Sequence, residues 1–160
     1  MRVLFVLGLL CISAVCAAAS FSQIKRIADD DALLENAGVS LREVQFRLPC
    51  LGAIVETSDP PEFSNYLFVQ SSNELNLFSL EDGYLLSEVQ LKLTAIEGVA
   101  FTGAGAHFQL QIFSHRRVIA LFMERDKVQA VYAWLTDHGA PAREPLPPIN
   151  KGVSTNPFRL

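Results

Sequence analysis

The sequence predicts an α+β fold: a seven-stranded antiparallel barrel or sandwich, closed by a C-terminal amphipathic helix and preceded by short N-terminal helices. Three observations predict it. Between Leu51 and Met123 apolar residues recur with a period of two, in short runs. The connections between those runs are short, and a parallel crossover needs about a dozen residues or more, so consecutive strands pair antiparallel. After Met123 the period becomes helical, with Val128, Val131, Tyr132 and Leu135 at i, i+3, i+4 and i+7. A length of 160 residues suits one domain.

The chain opens as a secretory signal peptide. Arg2 precedes the apolar run Val3 to Ile12, and small residues follow through Cys16, Ala17, Ala18 and Ala19, with Ala17-x-Ala19 as the expected exit. The apolar stretch is shorter than the ~20 residues of a spanning helix, so no transmembrane segment is expected in the mature chain, and secretion is the expected fate. Removal of residues 1–19 takes Cys11 and Cys16, which leaves Cys50 as the sole thiol and excludes an internal disulfide. Leu48 and Leu51 beside it predict a buried, inert thiol; a bridge between two chains is the other reading. Lys25 and Arg26 form a candidate dibasic processing site or, equally, two exposed residues of a frayed terminus.

Residues 20–49 read as a helical segment. Asp29 to Asp31 open a short helix through Ala32, Leu33 and Leu34, and Gly38 stops it. Ser40 with Glu43 then reads as a capping box for a second short helix or turn that runs through Val44 and Leu48 to Pro49. The pair has the look of a helix-turn-helix, but three aspartates at its entry and only Arg42 and Arg47 as cations argue against DNA.

The domain proper is expected over residues 50–139. Its strands are Leu51 to Glu56, Tyr66 to Gln70, Glu74 to Ser79, Tyr84 to Leu91, Ile96 to Phe101, Phe108 to Ile112 and Val118 to Phe122. Tight turns fall at Ser71-Ser72-Asn73, Glu81-Asp82-Gly83 and His115-Arg116-Arg117; residues 102–106 form a flexible loop. The alternation is clearest in Phe108-Gln109-Leu110-Gln111-Ile112. Asp126 with Gln129 is expected to cap the final helix, Trp134 to lie beside its apolar stripe, and Gly139 with Pro141 to end it. Residues 140–160 turn to proline and polar residues and read as a mobile tail.

This layout resembles the pleckstrin-homology family. Tyr66-Leu67-Phe68-Val69 followed by Glu74-Leu75-Asn76-Leu77-Phe78 is similar to the family's hairpin of the second and third strands, and Gly83 to Leu91 to its next strand. Phe108 to Ile112, Val118 to Leu121 and the helix through Trp134 are similar to its closing segment. The resemblance covers about residues 50–139. It implies a platform for protein segments, along an edge strand or beside the helix. Family members that bind phosphoinositides carry clustered cations between the first two strands. Here Glu56 to Asn65 has three acidic residues and no basic one, so phosphoinositide binding through that loop is not expected.

Acidic residues outnumber basic ones, 17 to 13, and loss of Arg2 with the signal widens the gap. That balance disfavours nucleic acid as a partner. No nucleophile turn accompanies His107, His115 and His138, no His/Cys pair has zinc spacing, and no glycine-rich phosphate loop occurs, so no catalytic residue, metal or cofactor is expected. The expected function is therefore that of a secreted, non-enzymatic binding protein that engages another protein. A disulfide-free secreted chain would also suit an effector delivered by a pathogen or parasite into a host cell. A lipid or small-ligand carrier and an unrecognised hydrolase are the alternatives. Large aromatics at inward positions, Phe68, Phe78 and Phe108, would fill a small barrel and weigh against the carrier. Candidate partner-binding residues are the basic His115, Arg116, Arg117, Arg125 and Lys127, and Pro145, Pro147 and Pro148 of a short polyproline stretch.

Overall fold

The computed structural model describes residues 18–56, 61–104 and 107–149. Residues 1–17, most of the expected signal peptide, and the central part of the first strand connection lie outside the described residues. Two short helices, α1 (Phe21–Ile27) and α2 (Asp31–Asn36), precede seven strands. These are β1 (Val44–Glu56), β2 (Phe63–Ser71), β3 (Glu74–Glu81), β4 (Tyr84–Lys92), β5 (Gly98–Ala104), β6 (His107–Ser114) and β7 (Arg117–Met123); α3 (Arg125–Asp137) follows them. The strands form one antiparallel sheet in the order β4-β3-β2-β1-β7-β6-β5, which stays open with β4 and β5 as its edges. Two antiparallel meanders, β1–β4 and β5–β7, join through β1 and β7, so β4 and β5 do not pair as consecutive strands were expected to. With one capping helix they give the chain a pleckstrin-homology-like fold, as the resemblance implies.

The sheet bends along β1. Its residues Val44–Ala53 pair with β2 and Leu51–Glu56 pair with β7, so one long strand belongs to both halves. Gly52 sits where the two ladders overlap: a Cβ there would come within 2.8 Å of Leu121 Cδ2 and 3.2 Å of Tyr66 Cδ2. A side chain would wedge the bend open.

Strand β1 starts at Val44, not at Leu51, and this corrects the expected second helix. Only a 3-10 turn, Leu41–Glu43, precedes the strand, and Ser40 makes no side-chain cap. Pro49 does not end a helix; it lies inside β1 opposite Leu67. Over Val44 to Cys50 the strand has β2 as its one neighbour, so a residue without an N–H is tolerated on the other side. The sheet therefore claims residues 44–49 from the expected helical segment. Asp30 does cap α2, accepting from the Leu33 N–H at 3.0 Å, and Gly38 ends it at φ 84°.

Between the halves lies the main core. Phe68, Leu75, Leu77, Leu110, Ile112, Ile119 and Leu121 meet Val128, Val131 and Leu135 of α3, all fully buried. The helical stripe read from the sequence is thus the plug. Tyr132 and Trp134, half-buried, set their rings edge-on to Phe101 and Phe46. The expected Asp126–Gln129 cap is replaced by Glu124 at the N-cap, which makes no side-chain cap bond and pairs with Lys127 at 3.0 Å.

The outer faces of the sheet are covered as well. Ile24, Ala28 and Leu34 of the N-terminal segment pack on Leu67, Val69 and Phe78. Phe78 was expected inside; it pairs with Leu67 and shares its outward face, while Leu77 points into the core. On the other half, Ile149 and Leu146 cover Ala53, Val55, Ala100, Phe113, Val118 and Ala120. Burial on both faces explains why Tyr66 to Ser71 is buried without interruption.

Cys50 is buried in the main core, with its thiol donating to the Tyr66 carbonyl at 3.6 Å. Burial pushes its pKa from 9.0 up to about 12. The folded chain is therefore expected to resist thiol reagents at pH 8 and to react once denatured. A raised pKa means that the folded state holds a proton the unfolded chain releases. Its contribution is complete below pH 9 and is lost as the pH rises toward 12. Urea titrations across that window should show stability falling by up to ~1.4 kcal/mol per pH unit. Cys50→Ala should flatten that slope. An unchanged slope would place the thiol in contact with solvent.

Candidate partner-binding surfaces

The expected basic cluster divides in two. His115 and Arg116 form the tight β6–β7 turn, both exposed and both at positive φ, 26° and 63°. A two-residue hairpin turn of this hand favours Asn-Gly, so His-Arg is a costly choice at a solvent-exposed tip. Arg117, next in the chain, donates from Nε and Nη2 to Glu56. Arg125 and Lys127 lie beyond the other end of β7, a strand of about 20 Å at the usual rise. There Arg125 sits over the Phe108 ring at 5.3 Å and Lys127 pairs with Glu124. Proximity in sequence misled because a strand is the most extended way to separate neighbours.

Where the two halves of the sheet part, the tip borders a cleft of about 210 Å³. Val89, Gln90 and Leu91 of β4 form one wall, and Ser114, His115, Arg117 and Ile119 the other. Strand β4 has no neighbour on its far side. Tyr84 and Leu86 on it are 71% and 43% exposed, high for large apolar side chains. A bulge assists: Leu77 pairs with Val89 but Phe78 with Ser87, which leaves Glu88 out of the ladder and twists the edge. The edge was implied by the resemblance, but its exposed pair was not read from the sequence, because Tyr84 and Leu86 look like core in an apolar run.

A second cleft, of about 320 Å³, was not anticipated. Ala18, Ala19, Glu62, Tyr66, Ser79, Glu81 and Glu88 line it, drawn from three strands and the N-terminal approach. Burial, reinforced by the Glu88 carboxylate, raises the Tyr66 phenol above its ordinary range. Asn65 donates to the Ala19 carbonyl at 3.0 Å, and Ser20 with Gln23 forms a reciprocal capping box on α1.

Lys25 and Arg26 lie on the exposed side of α1, whose Ile24 is fully buried. A protease needs extended chain, so cleavage there would require α1 to unfold from the sheet. His138 Nδ1 donates to the Trp134 carbonyl, 2.7 Å away, and the imidazole stacks on the Trp134 ring. The His107 side chain lies outside the described residues. Among the described residues no group of three His, Cys, Asp or Glu is placed to hold a metal ion, and no helix is long and apolar enough to cross a membrane. Phe68 and Phe108 do face the interior, which is filled by side chains.

The tail differs most from expectation. Residues 140–149 lie along the sheet, with Ala140 and Ile149 buried; Pro145 and Pro147 are exposed and Pro148 half-buried. Val99 donates to the Pro141 carbonyl at 2.8 Å and accepts from the Arg143 N–H at 2.9 Å, so the tail covers the β5 edge. Of the two edges, β4 alone is left without a cover among the described residues.

No family profile and no curated protein matches this sequence. Solved structures similar to the chain include the DH/PH domains of p115-RhoGEF in a point-mutant form, at 13% identity and a TM-score of 0.44. Others are an N-terminally truncated linker-DH/PH form of p115-RhoGEF (12%, 0.44) and the complex of PDZ-RhoGEF DH/PH domains with activated RhoA (13%, 0.42). These likenesses cover 79%, 74% and 74% of this chain, which spans 39%, 36% and 36% of theirs.

Proposed function

We propose that the mature chain is a secreted, non-enzymatic protein-binding module, whose partner docks on the β4 edge and the neighbouring β6–β7 tip. The observation that supports it is the unpaired β4 edge, which exposes Tyr84 and Leu86 toward one end and lines the cleft under His115 with Val89, Gln90 and Leu91 toward the other. Unpaired N–H and C=O groups invite an added strand, and exposed apolar side chains supply its pockets. The cations at the tip favour a segment with acidic residues at one end. A single buried thiol makes the fold indifferent to a reducing compartment, which suits delivery into a host cell.

Two measurements test this. Expression in a secreting host should release a chain whose mass corresponds to a start at Ser20, the residue whose side chain caps α1. An intact chain retained in cells would refute secretion. The released protein is then used for affinity capture beside its Leu86→Lys and Arg116→Glu variants. Each substitution should reduce partner recovery at least ten-fold while leaving the fold unchanged by circular dichroism. Recovery unaffected by both would remove this surface from consideration.

A further inference from the structure

The alternation in β6 leads one to expect Gln109 and Gln111 in water, yet both are fully buried. Burying an amide is unfavourable unless its donors and acceptors find partners. Here each amide works in both directions on the backbone of the tail. Gln111 Oε1 accepts from the Leu146 N–H at 2.8 Å, and its Nε2 donates to the Leu146 carbonyl at 3.1 Å. Gln109 Oε1 accepts from the Ile149 N–H at 3.1 Å, and its Nε2 donates to the Ile149 carbonyl at 3.0 Å. A bond of 2.9 Å from Gln111 Nε2 to Gln109 Oε1 joins the two.

Three side chains of the tail face the sheet: Arg143, stacked on the Phe113 ring at 4.5 Å, then Leu146 and Ile149. Their spacing of three is that of one face of a polyproline-II helix. Pro145, Pro147 and Pro148 fall between the contact positions, where they favour the extended form and present no N–H that would need a partner. Gly98 makes room for the leading cation, since a Cβ there would stand 2.0 Å from Arg143 Cδ. Apolar packing alone would be enough to cover this face. Two glutamines that read peptide groups make a seat which must be refilled by backbone whenever the tail leaves it.

We propose that the outer face of β5 and β6 is a peptide-binding groove, occupied in cis by residues 141–149. Its partner ligand is an extended, proline-containing segment with a cation followed at intervals of three by two apolar residues. The tail acts as a competing strap. Tethering gives it an effective concentration of about millimolar, so a trans ligand binds weakly until the strap is loosened or outcompeted. The groove lies apart from the β4 surface, so its failure would leave that proposal standing.

The test uses a fluorescent peptide with the sequence of residues 141–149, titrated into the full chain. The same titration follows with the Leu146→Gly/Ile149→Gly variant, which keeps both glutamines. Binding should be at least ten-fold tighter to the variant, and adding Gln111→Leu should abolish the gain. Equal binding to wild type and folded variant, or a gain that survives Gln111→Leu, would overturn the proposal. Should the variant not fold, hydrogen exchange on the wild-type chain decides. Leu146 and Ile149 amides that exchange at least a hundred-fold faster than those of β6 support an opening strap. Amides as protected as β6 refute it.

Discussion

Phe68→Ala is expected to destabilise the chain by about 3–5 kcal/mol, a large part of the roughly 5–15 kcal/mol that holds a domain folded. The side chain is fully buried at the centre of β2, paired laterally with Leu48 and Leu77, and packed in the core beneath α3. Truncation removes the whole ring from a close-packed interior, and the β-ladders on both sides limit collapse into the space. Phe68→Leu keeps most of the volume and should cost under about 1.5 kcal/mol. Urea unfolding followed by tryptophan fluorescence reads both, since Trp134 lies on the helix over the same core. A cost below about 1 kcal/mol for the alanine variant would mean that the interior already tolerates empty space, the property a carrier of small ligands needs.

Leu34→Ala should cost about 2–5 kcal/mol, although the residue lies on a six-residue helix outside the strands. A helix this short has no stability of its own. It is held because Leu34, Ile24 and Ala28 bury the outward face of Leu67, Val69 and Phe78. The loss should appear as a shift of the single global transition, since the outer layer and the sheet unfold together. Leu86→Ala on the exposed β4 edge should change stability by no more than about 0.5 kcal/mol. A separate early transition for Leu34→Ala, with the main one unmoved, would show that residues 20–43 are an appendage and not a layer of the domain.

Strands and turns were legible because a period of two and a tight turn are local signals. The β3–β4 turn at Asp82-Gly83 and the β6–β7 turn at His115-Arg116 stand where they were read. Layers were not legible in the same way. Pro49 looked like a helix stop because its tolerance depends on β1 having one neighbour there. Phe78 looked like core because nothing local says which face of β3 the helices cover. Gln109 and Gln111 looked like surface because their partners lie 40 and 35 residues away in sequence, respectively. The candidate site shared this limit: the His115 tip was visible, but its distance from Arg125 and the exposure of Leu86 were not.

The sequence by itself determined the strand count, the capping helix with its Val128, Val131 and Leu135 stripe, and the left-handed stops at Gly38 and Gly139. Each of these follows from side-chain spacing or backbone sterics within a few residues. The tertiary structure decided what covers each face and which edge stays open. It laid the N-terminal helices on one half of the sheet, laid the tail on the other and along β5, and left β4 uncovered. Those choices depend on burying apolar area and satisfying amides between segments far apart in the chain, a balance that local pattern does not encode.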